Sequence, residues 1–331
     1  MVIAITGSYG KTSTKEILYQ ILKEKYKVLR TPESYNTLFG ITKVVELELS
    51  PNYDYFICEM AAYKKGEIKE LCQMIPPDFG IITGITPQHL ERFGSLKNIV
   101  QAKFELYDAV KDKNKIFLNI RDFEIAEELK NRSSKIRELT SPYNLKLTST
   151  ASHFELKVND SVVSFTTNLF GSSQIKNIAA AINIASFLGV DMKTIKAKVQ
   201  KLTPFSNRFV LKQYNNINII DNTYSSNYAS FKETILTAKE VVGTKVLVTP
   251  GIVELGDKEA AIHQELGKLA ENVFDKIVLV GDNKRTRAFF KGYGNKAEFI
   301  NDSREVYQTK IEQLKKEFTW IFLENDLTQN Y

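Results

Sequence analysis

The hydrophobic positions of this chain follow two alternating rhythms. Short β-branched or aromatic runs are followed by longer stretches whose apolar residues recur every three to four positions. Residues 2–5 (Val-Ile-Ala-Ile) form the first run and predict a buried strand. Residues 14–23 then set Ile17, Leu18, Ile21 and Leu22 on one helical face. Further strands are predicted at 26–29, 54–60, 79–83 and 115–119, with helices at 98–110 and 123–130. An apolar run follows Gly40 over residues 41–49. Residues 145–150, 154–158 and 162–167 alternate apolar and polar side chains, with Asn159-Asp160 as a hairpin turn, so a small antiparallel meander is expected. An Ala-rich helix over 178–188 stops at Gly189, and a short helix spans 192–201. Residues 202–208 read as a linker. Beyond it come a hairpin (210–214 and 217–220), strands at 245–249, 276–280, 297–300 and 320–323, and helices at 229–241, 258–271, 284–290 and 304–318. Strands alternating with helices on both sides of the linker imply two α/β domains, residues 1–206 and 207–331. The first would have a parallel sheet plus the small meander, and the second would be Rossmann-like.

Bulk properties narrow this little. A chain of 331 residues with 43% hydrophobic and 25% charged content is an ordinary globular protein able to bury sizeable cores. The net charge of +6 is scattered through helical stretches, which argues against nucleic acid as a partner and suits an anion-binding enzyme. Cys58 and Cys72 form no C-x-x-C pair, so neither a zinc site nor a disulfide framework is expected, and two free thiols suit a reducing cytoplasm. No apolar run is long enough for a membrane span, and no signal peptide is seen at the start.

The chemistry concentrates at the start. Gly7-Ser8-Tyr9-Gly10-Lys11-Thr12-Ser13 sits between the first strand and the first helix, the context of a P-loop. Gly7 and Gly10 let the backbone fold tightly with amides turned inward, and the helix start adds donors and a positive dipole end. Lys11 would reach the β- and γ-phosphates, and the Thr12 hydroxyl would ligate Mg²⁺. The glycines are closer together than in the common G-x-x-x-x-G-K-[ST] form. Glu59 closes a strand, either facing the crevice where α/β ligands bind or making a surface ion pair. His89, one of three histidines, follows another strand and reads as a metal ligand or a structural residue. Lys103 is bracketed by apolar residues, and by pattern alone it snorkels to the surface.

Taken together, several stretches resemble the Mur ligase family. They are GSYGKTSTK from Gly7, SYNTLFGIT from Ser34, EMAAYKKGEI from Glu59 and ITGITPQHLERFGSLKNIVQAKFELY from Ile82. GSSQIKN from Gly171, NRF from Asn207, IIDNTYSSN from Ile219 and ELGDKEAAIHQELG from Glu254 complete the set, in family order through most of the chain. The likeness is greatest to the branch that joins D-alanyl-D-alanine to a UDP-N-acetylmuramoyl-tripeptide. It implies an ATP-dependent amide ligase of cell-wall peptide assembly. A substrate carboxylate takes the γ-phosphoryl group, and an amine then displaces phosphate. It implies that Gly7, Ser8, Gly10, Lys11, Thr12, Ser13 and Asn177 hold ATP. Thr12 and Glu59 would hold a first Mg²⁺, and His89 and a carbamylated Lys103 a second. Arg208, Asp221, Asn222 and Tyr224 match positions that contact ADP.

Departures from the family pattern lie on the substrate side. The N-terminal domain that grips the UDP-sugar is expected to be lacking, because only six residues precede Gly7. A separate substrate-binding protein would then supply that role. Thr37, Ser173, Gln174 and Asn222 replace usual family residues, and the 323–327 stretch replaces a Lys-Gly-Ser-Arg turn. The alternative reading is an ATP-binding subunit, a degenerate relative acting with a partner protein.

Overall fold

The computed structural model describes residues 1–32, 35–87, 89–130, 132, 135–148, 151–203, 209–223, 227–253, 255–294, 297–301 and 309–325. It divides into two compact units. The first comprises Met1–Leu145, His153–Thr167 and Ile175–Leu202, and the second Lys146–Ser152, Asn168–Gln174 and Thr203–Tyr331.

The first unit begins with β1 (Val2–Thr6), α1 (Lys11–Leu22), β2 (Val28–Arg30), α2 (Leu38–Leu47), β3 (Tyr55–Glu59), α3 (Glu67–Met74) and β4 (Phe79–Ile82). It continues through α4 (Leu90–Phe93), α5 (Leu96–Ala109), β5 (Ile116–Leu118), α6 (Phe123–Leu129) and β6 (Arg137–Glu138). Its sheet runs β2-β3-β1-β4-β5-β6 with every described pair parallel. Both faces are covered, which is why these strands read as continuous apolar runs. Ala4, Phe56, Cys58 and Ile82 join Ile68, Leu71, Phe104 and Leu106 in one cluster. On the other side Phe187 meets Phe79 and Phe117 edge-on, with ring centroids 6.3 and 5.4 Å apart. The apolar run after Gly40 is helix α2, and the two-residue β6 gave no periodic signal. The chain leaves β1 toward β2 on one side and leaves β4 toward β5 on the other. The C-terminal ends of β1 and β4 therefore flank a switch point, where such sheets bind ligands.

A separate small antiparallel sheet has the order β7-β8-β9, from Tyr143–Leu147, Ser152–Val158 and Ser161–Thr167. Asn159 and Asp160 form its turn, both left-handed at φ 48° and 64°. The pattern predicts this meander from alternation alone. Helices α7 (Ser172–Phe187) and α8 (Met192–Gln200) follow.

The second sheet contains β10 (Val210–Tyr214), β11 (Ile217–Asn222), β12 (Lys245–Thr249), β13 (Lys276–Val280), β14 (Ala297–Ile300) and β15 (Trp320–Glu324). Its order is β10-β11-β15-β12-β13-β14, antiparallel only between β10 and β11. Leu247, Ile277, Leu279 and Phe322 pack one face against α9 (Tyr228–Glu240), α10 (Glu259–Ala270) and α11 (Lys284–Tyr293) through Phe231, Ile235, Leu266 and Phe289. Val246, Val248, Val278 and Ile321 pack the other face against α12 (Ile311–Glu317) through Ile311 and Leu314. Both units thus have the α/β layering expected from the sequence. Among the described residues no helix is long and apolar enough to cross a membrane.

Helices α10 and α11 meet through two glycines. A Cβ on Gly267 would collide with the carbonyl oxygen of Phe289, and one on Gly292 with that of Gln264. Backbone cannot yield as a side-chain tip can. Gly267→Ala and Gly292→Ala are each expected to destabilise the second unit by about 1–3 kcal/mol, the usual cost of overpacking. Urea denaturation checks this, and unchanged midpoints would contradict the close approach.

Candidate active site

Three strand ends meet at the switch point of the first sheet: Thr6 of β1, Glu59 of β3 and Ile82 of β4. Register pairs Ile5 with Glu59 and Thr6 with Ile82. The loop after β1 turns through Gly7 at φ 149° and Gly10 at φ 75°, conformations that L side chains rarely adopt. A Cβ on Gly10 would also lie 2.6 Å from Asn177 Oδ1, which places Asn177 against this loop. Ser8 ties the loop to the segment after β4: its amide donates to Gly84 O (2.8 Å) and its hydroxyl to Thr86 O (3.0 Å). Lys11 Nζ donates to Gly7 O (2.8 Å).

Helix α1 starts at Lys11, three residues before the helix predicted from residue 14 and six before Ile17, its first apolar residue. Its first turn is polar because it faces the crevice, not the core. The first helical bond runs from Thr14 N to Gly10 O (2.8 Å), so the amides of Thr12 and Ser13 precede the ladder at the positive dipole end. This is the arrangement of an anion cradle.

Glu59 is buried, with its side chain 1% exposed. Its Oε1 accepts from Thr12 Oγ1 (3.0 Å) and Asn36 Nδ2 (3.0 Å). Its Oε2 lies 3.2 Å from Lys15 Nζ in an ion pair. Burial alone would raise this carboxyl. The charges of Lys15 and Lys11 and the hydrogen bond from Asn36 outweigh that, holding it below the usual carboxylate range. Of the two readings of Glu59, the structure thus shows an ion pair, but an internal one. The Thr12 hydroxyl and Glu59 Oε1 share a position where both could ligate one small hard cation. Among the described residues no group of three His, Cys, Asp or Glu could hold a metal. A Mg²⁺ here would draw its remaining oxygens from phosphate and water, as that ion commonly does.

Beside this pair lies a cavity of about 90 Å³, room for about three waters. Ser8, Lys11, Asn36, His89 and Lys103 line it, with Tyr63 and Phe93 among its walls. His89 stands at φ 52° directly after the segment from β4, and its ring meets Tyr63 edge-on at 5.1 Å. Lys103 arrives from α5. It is 4% exposed, so it does not snorkel. Its ammonium lies 5.7 Å from the Phe93 ring centroid and has no hydrogen-bond or ion-pair partner among the described residues. Burial, then the charge of Lys11, pushes it down to about 7, against the opposing pull of Glu105 and Glu67. A buried lysine near neutrality beside such a pocket is a nucleophile at ordinary pH.

In the second unit Asp221 Oδ2 accepts from Lys212 Nζ (2.7 Å), and Oδ1 from Thr223 Oγ1 (2.7 Å). Asn222, expected at the nucleotide, has its amide turned inside the unit. It donates to both oxygens of Glu324 (3.1 and 2.9 Å), the residue facing it in register on β15. Glu324 is fully buried and also accepts from Thr234 Oγ1 (2.6 Å), so Asn222 serves a carboxylate that needs donors. Arg208 and Tyr224 lie outside the described residues. Sequence reasoning missed Lys15 and gave Asn36 no role of its own. Lys15 had a signal: with Leu18 and Leu22 it continues the buried stripe of α1.

A depressed lysine makes a checkable statement about stability. Between pH 10.5 and about 7 the unfolded chain protonates Lys103 while the folded chain resists it, so stability falls as pH falls through that window. In bicarbonate-free buffer Lys103→Met is expected to be more stable than wild type at pH 7 by a few kcal/mol, of the order set by roughly 1.4 kcal/mol per pH unit. The gap should close toward pH 10.5. A pH-independent difference in denaturation midpoint would contradict a buried near-neutral amine.

Comparison with known proteins identifies the family. The Mur ligase middle domain matches residues 5–185, and the Mur ligase glutamate ligase domain matches residues 207–323. The UDP-N-acetylmuramoyl-tripeptide–D-alanyl-D-alanine ligase of Escherichia coli K12 is 28% identical over 321 residues, 94% of this chain and 70% of that protein. The ligase of the same name from Buchnera aphidicola is 28% identical over 328 residues, 95% of this chain and 71% of its own. The crystal structure of MurF from Acinetobacter baumannii superposes with a TM-score of 0.86 at 26% identity, over 98% of this chain and 73% of that one. MurF from Thermotoga maritima in complex with ADP gives 0.85 at 25%, over 98% and 76%. With both domains matched in order, the chain belongs to the Mur ligase family.

Proposed function

We propose that the protein is an ATP-dependent ligase that joins a carboxylate to an amine in cell-wall peptide assembly. The substrates would be those named for its relatives, a UDP-N-acetylmuramoyl-tripeptide and D-alanyl-D-alanine. One observation carries this reading: Lys103 enters the same small cavity as Lys11 and His89, beside the Thr12–Glu59 pair. A simple phosphate-hydrolysing P-loop protein has no need of a buried, near-neutral lysine there.

Each group then has a role. The Gly7–Ser13 loop and Asn177 cradle the phosphates, and Lys11 moves from Gly7 O to the β- and γ-phosphates. Asp221 and, beyond the described residues, Arg208 and Tyr224 belong to the nucleotide side. Thr12 and Glu59 would hold one Mg²⁺, and His89 and Lys103 a second. Bound there, Mg²⁺ supplies charge neutralisation to the transferring phosphoryl group. As an ammonium Lys103 cannot ligate a cation. As a neutral amine its Nζ attacks CO₂, forms an N–C bond and loses a proton, leaving an anionic carbamate. The substrate carboxylate oxygen attacks the γ-phosphorus, and the bond to the β-phosphate oxygen breaks to release ADP. The amine then attacks the acyl carbon, phosphate leaves and the amine nitrogen loses a proton. Lys11 stabilises the oxygens that gain charge in the first step.

Two outcomes are expected. Phosphate release should need ATP, UDP-N-acetylmuramoyl-tripeptide and D-alanyl-D-alanine together, and Lys11→Ala should lower it at least ~100-fold, the scale of losing one charge-stabilising donor. Release without the amine, or an unaffected Lys11→Ala, would count against the ligase. ¹³C-bicarbonate should give a carbamate NMR signal that disappears in Lys103→Met and weakens below pH 7, where the amine protonates. A wild-type spectrum lacking that signal at pH 8 would remove Lys103 from the metal site.

A further inference from the structure

The interior behind the phosphate loop holds a line of four charges. Lys15 is completely buried; its Nζ lies 3.2 Å from Glu59 Oε2 and 3.6 Å from Glu16 Oε1. Arg30 Nε donates to Glu16 Oε2 at 2.8 Å, and its guanidinium lies 4.0 Å over the Tyr19 ring. Glu59, Lys15, Glu16 and Arg30 therefore alternate in sign and balance within the protein. A divalent cation joining Glu59 would approach a carboxylate already neutralised by Lys15, with Lys11 also on the loop. In a poorly solvated interior, like charges at such separations repel strongly. Among the described residues no group of three His, Cys, Asp or Glu gathers there to offset this, and Glu16, the other carboxylate of the line, is already taken up by Lys15 and Arg30. Nucleotide phosphates would offset it, because they bring several negative charges with the metal.

We propose that Lys15 is the positioning residue of the metal site. It fixes Glu59 with Oε1 toward Thr12 and Asn36, and by neutralising Glu59 it admits a divalent cation only together with nucleotide phosphate. This rests on the ATP-binding reading and adds to it a residue and an order of binding.

Mn²⁺ serves as the probe, with free ion followed by electron paramagnetic resonance and no turnover required. Wild type is expected to bind Mn²⁺ only weakly alone, and at least tenfold more tightly once ADP is added. Lys15→Gln removes the charge but keeps a donor for Glu59. It should bind Mn²⁺ without nucleotide at least tenfold more tightly than wild type, and should gain less from ADP. Glu59→Gln should abolish the nucleotide-free binding in the Lys15→Gln background. A folded Lys15→Gln with wild-type Mn²⁺ behaviour would overturn the proposal. Tight nucleotide-free binding by wild type that is lost in Glu59→Gln would overturn it too, and this comparison decides the matter if Lys15→Gln does not fold. Failure of ADP to bind at all would instead sink the ATP-dependent reading.

Discussion

A carboxylate taken out of water must be compensated, or it takes up a proton. Glu59 is such a group, and the first unit is arranged around its compensation. Its partners come from two places in the sequence: Thr12 and Lys15 from α1, and Asn36 from the loop before α2. These partners reach it only if β3 lies beside β1 and α1 begins at the phosphate loop. The hydrogen bonds that hold the carboxylate thereby also fix the start of α1 against the strand ends. Asn36, which donates to the carboxylate, also lines the cavity of Lys11, His89 and Lys103. Electrostatic strain in this region is local, because the charges balance in pairs rather than through solvent.

The fold was largely legible because its signals are local. Continuous apolar runs betrayed a sheet covered on both faces, and strict alternation at 154–158 and 162–167 betrayed a meander. What failed was short or polar. The two residues of β6 are below any period, and the first turn of α1 is polar because it faces the crevice at the strand ends rather than the core. At the site, motif order singled out Glu59, His89 and Lys103, but not how they are held. Pattern alone gave Lys103 to the surface, since a lysine among apolar residues usually snorkels. Its burial follows from α5 packing across the cavity, which no local window contains. Lys15 was passed over for the opposite reason: its charge masked a position that helical spacing puts inside. Asn222 shows a third limit. Its partner Glu324 is remote in sequence and adjacent only through the parallel pairing of β11 and β15.

The second unit illustrates how closely two helices can be drawn together when both omit side chains. Gly267 and Gly292 let backbone meet backbone between α10 and α11, and the aromatic residues Phe231 and Phe289 fill the space beneath. The cluster below is thus specified by what is missing as well as by what is present.

The position of Cys58 next to Glu59 has one more consequence. Cys58 and Cys72 are both free, and burial pushes both thiols up, Cys72 to about 12. Since the thiolate is the reactive form, neither sulfur can be oxidised or alkylated at an appreciable rate while the sheet is closed. For Cys58, reaction must wait for the strand to open. Reaction of Cys58 with a thiol reagent added to the native protein would therefore act as a clock, timing the exposure of the strand that carries Glu59.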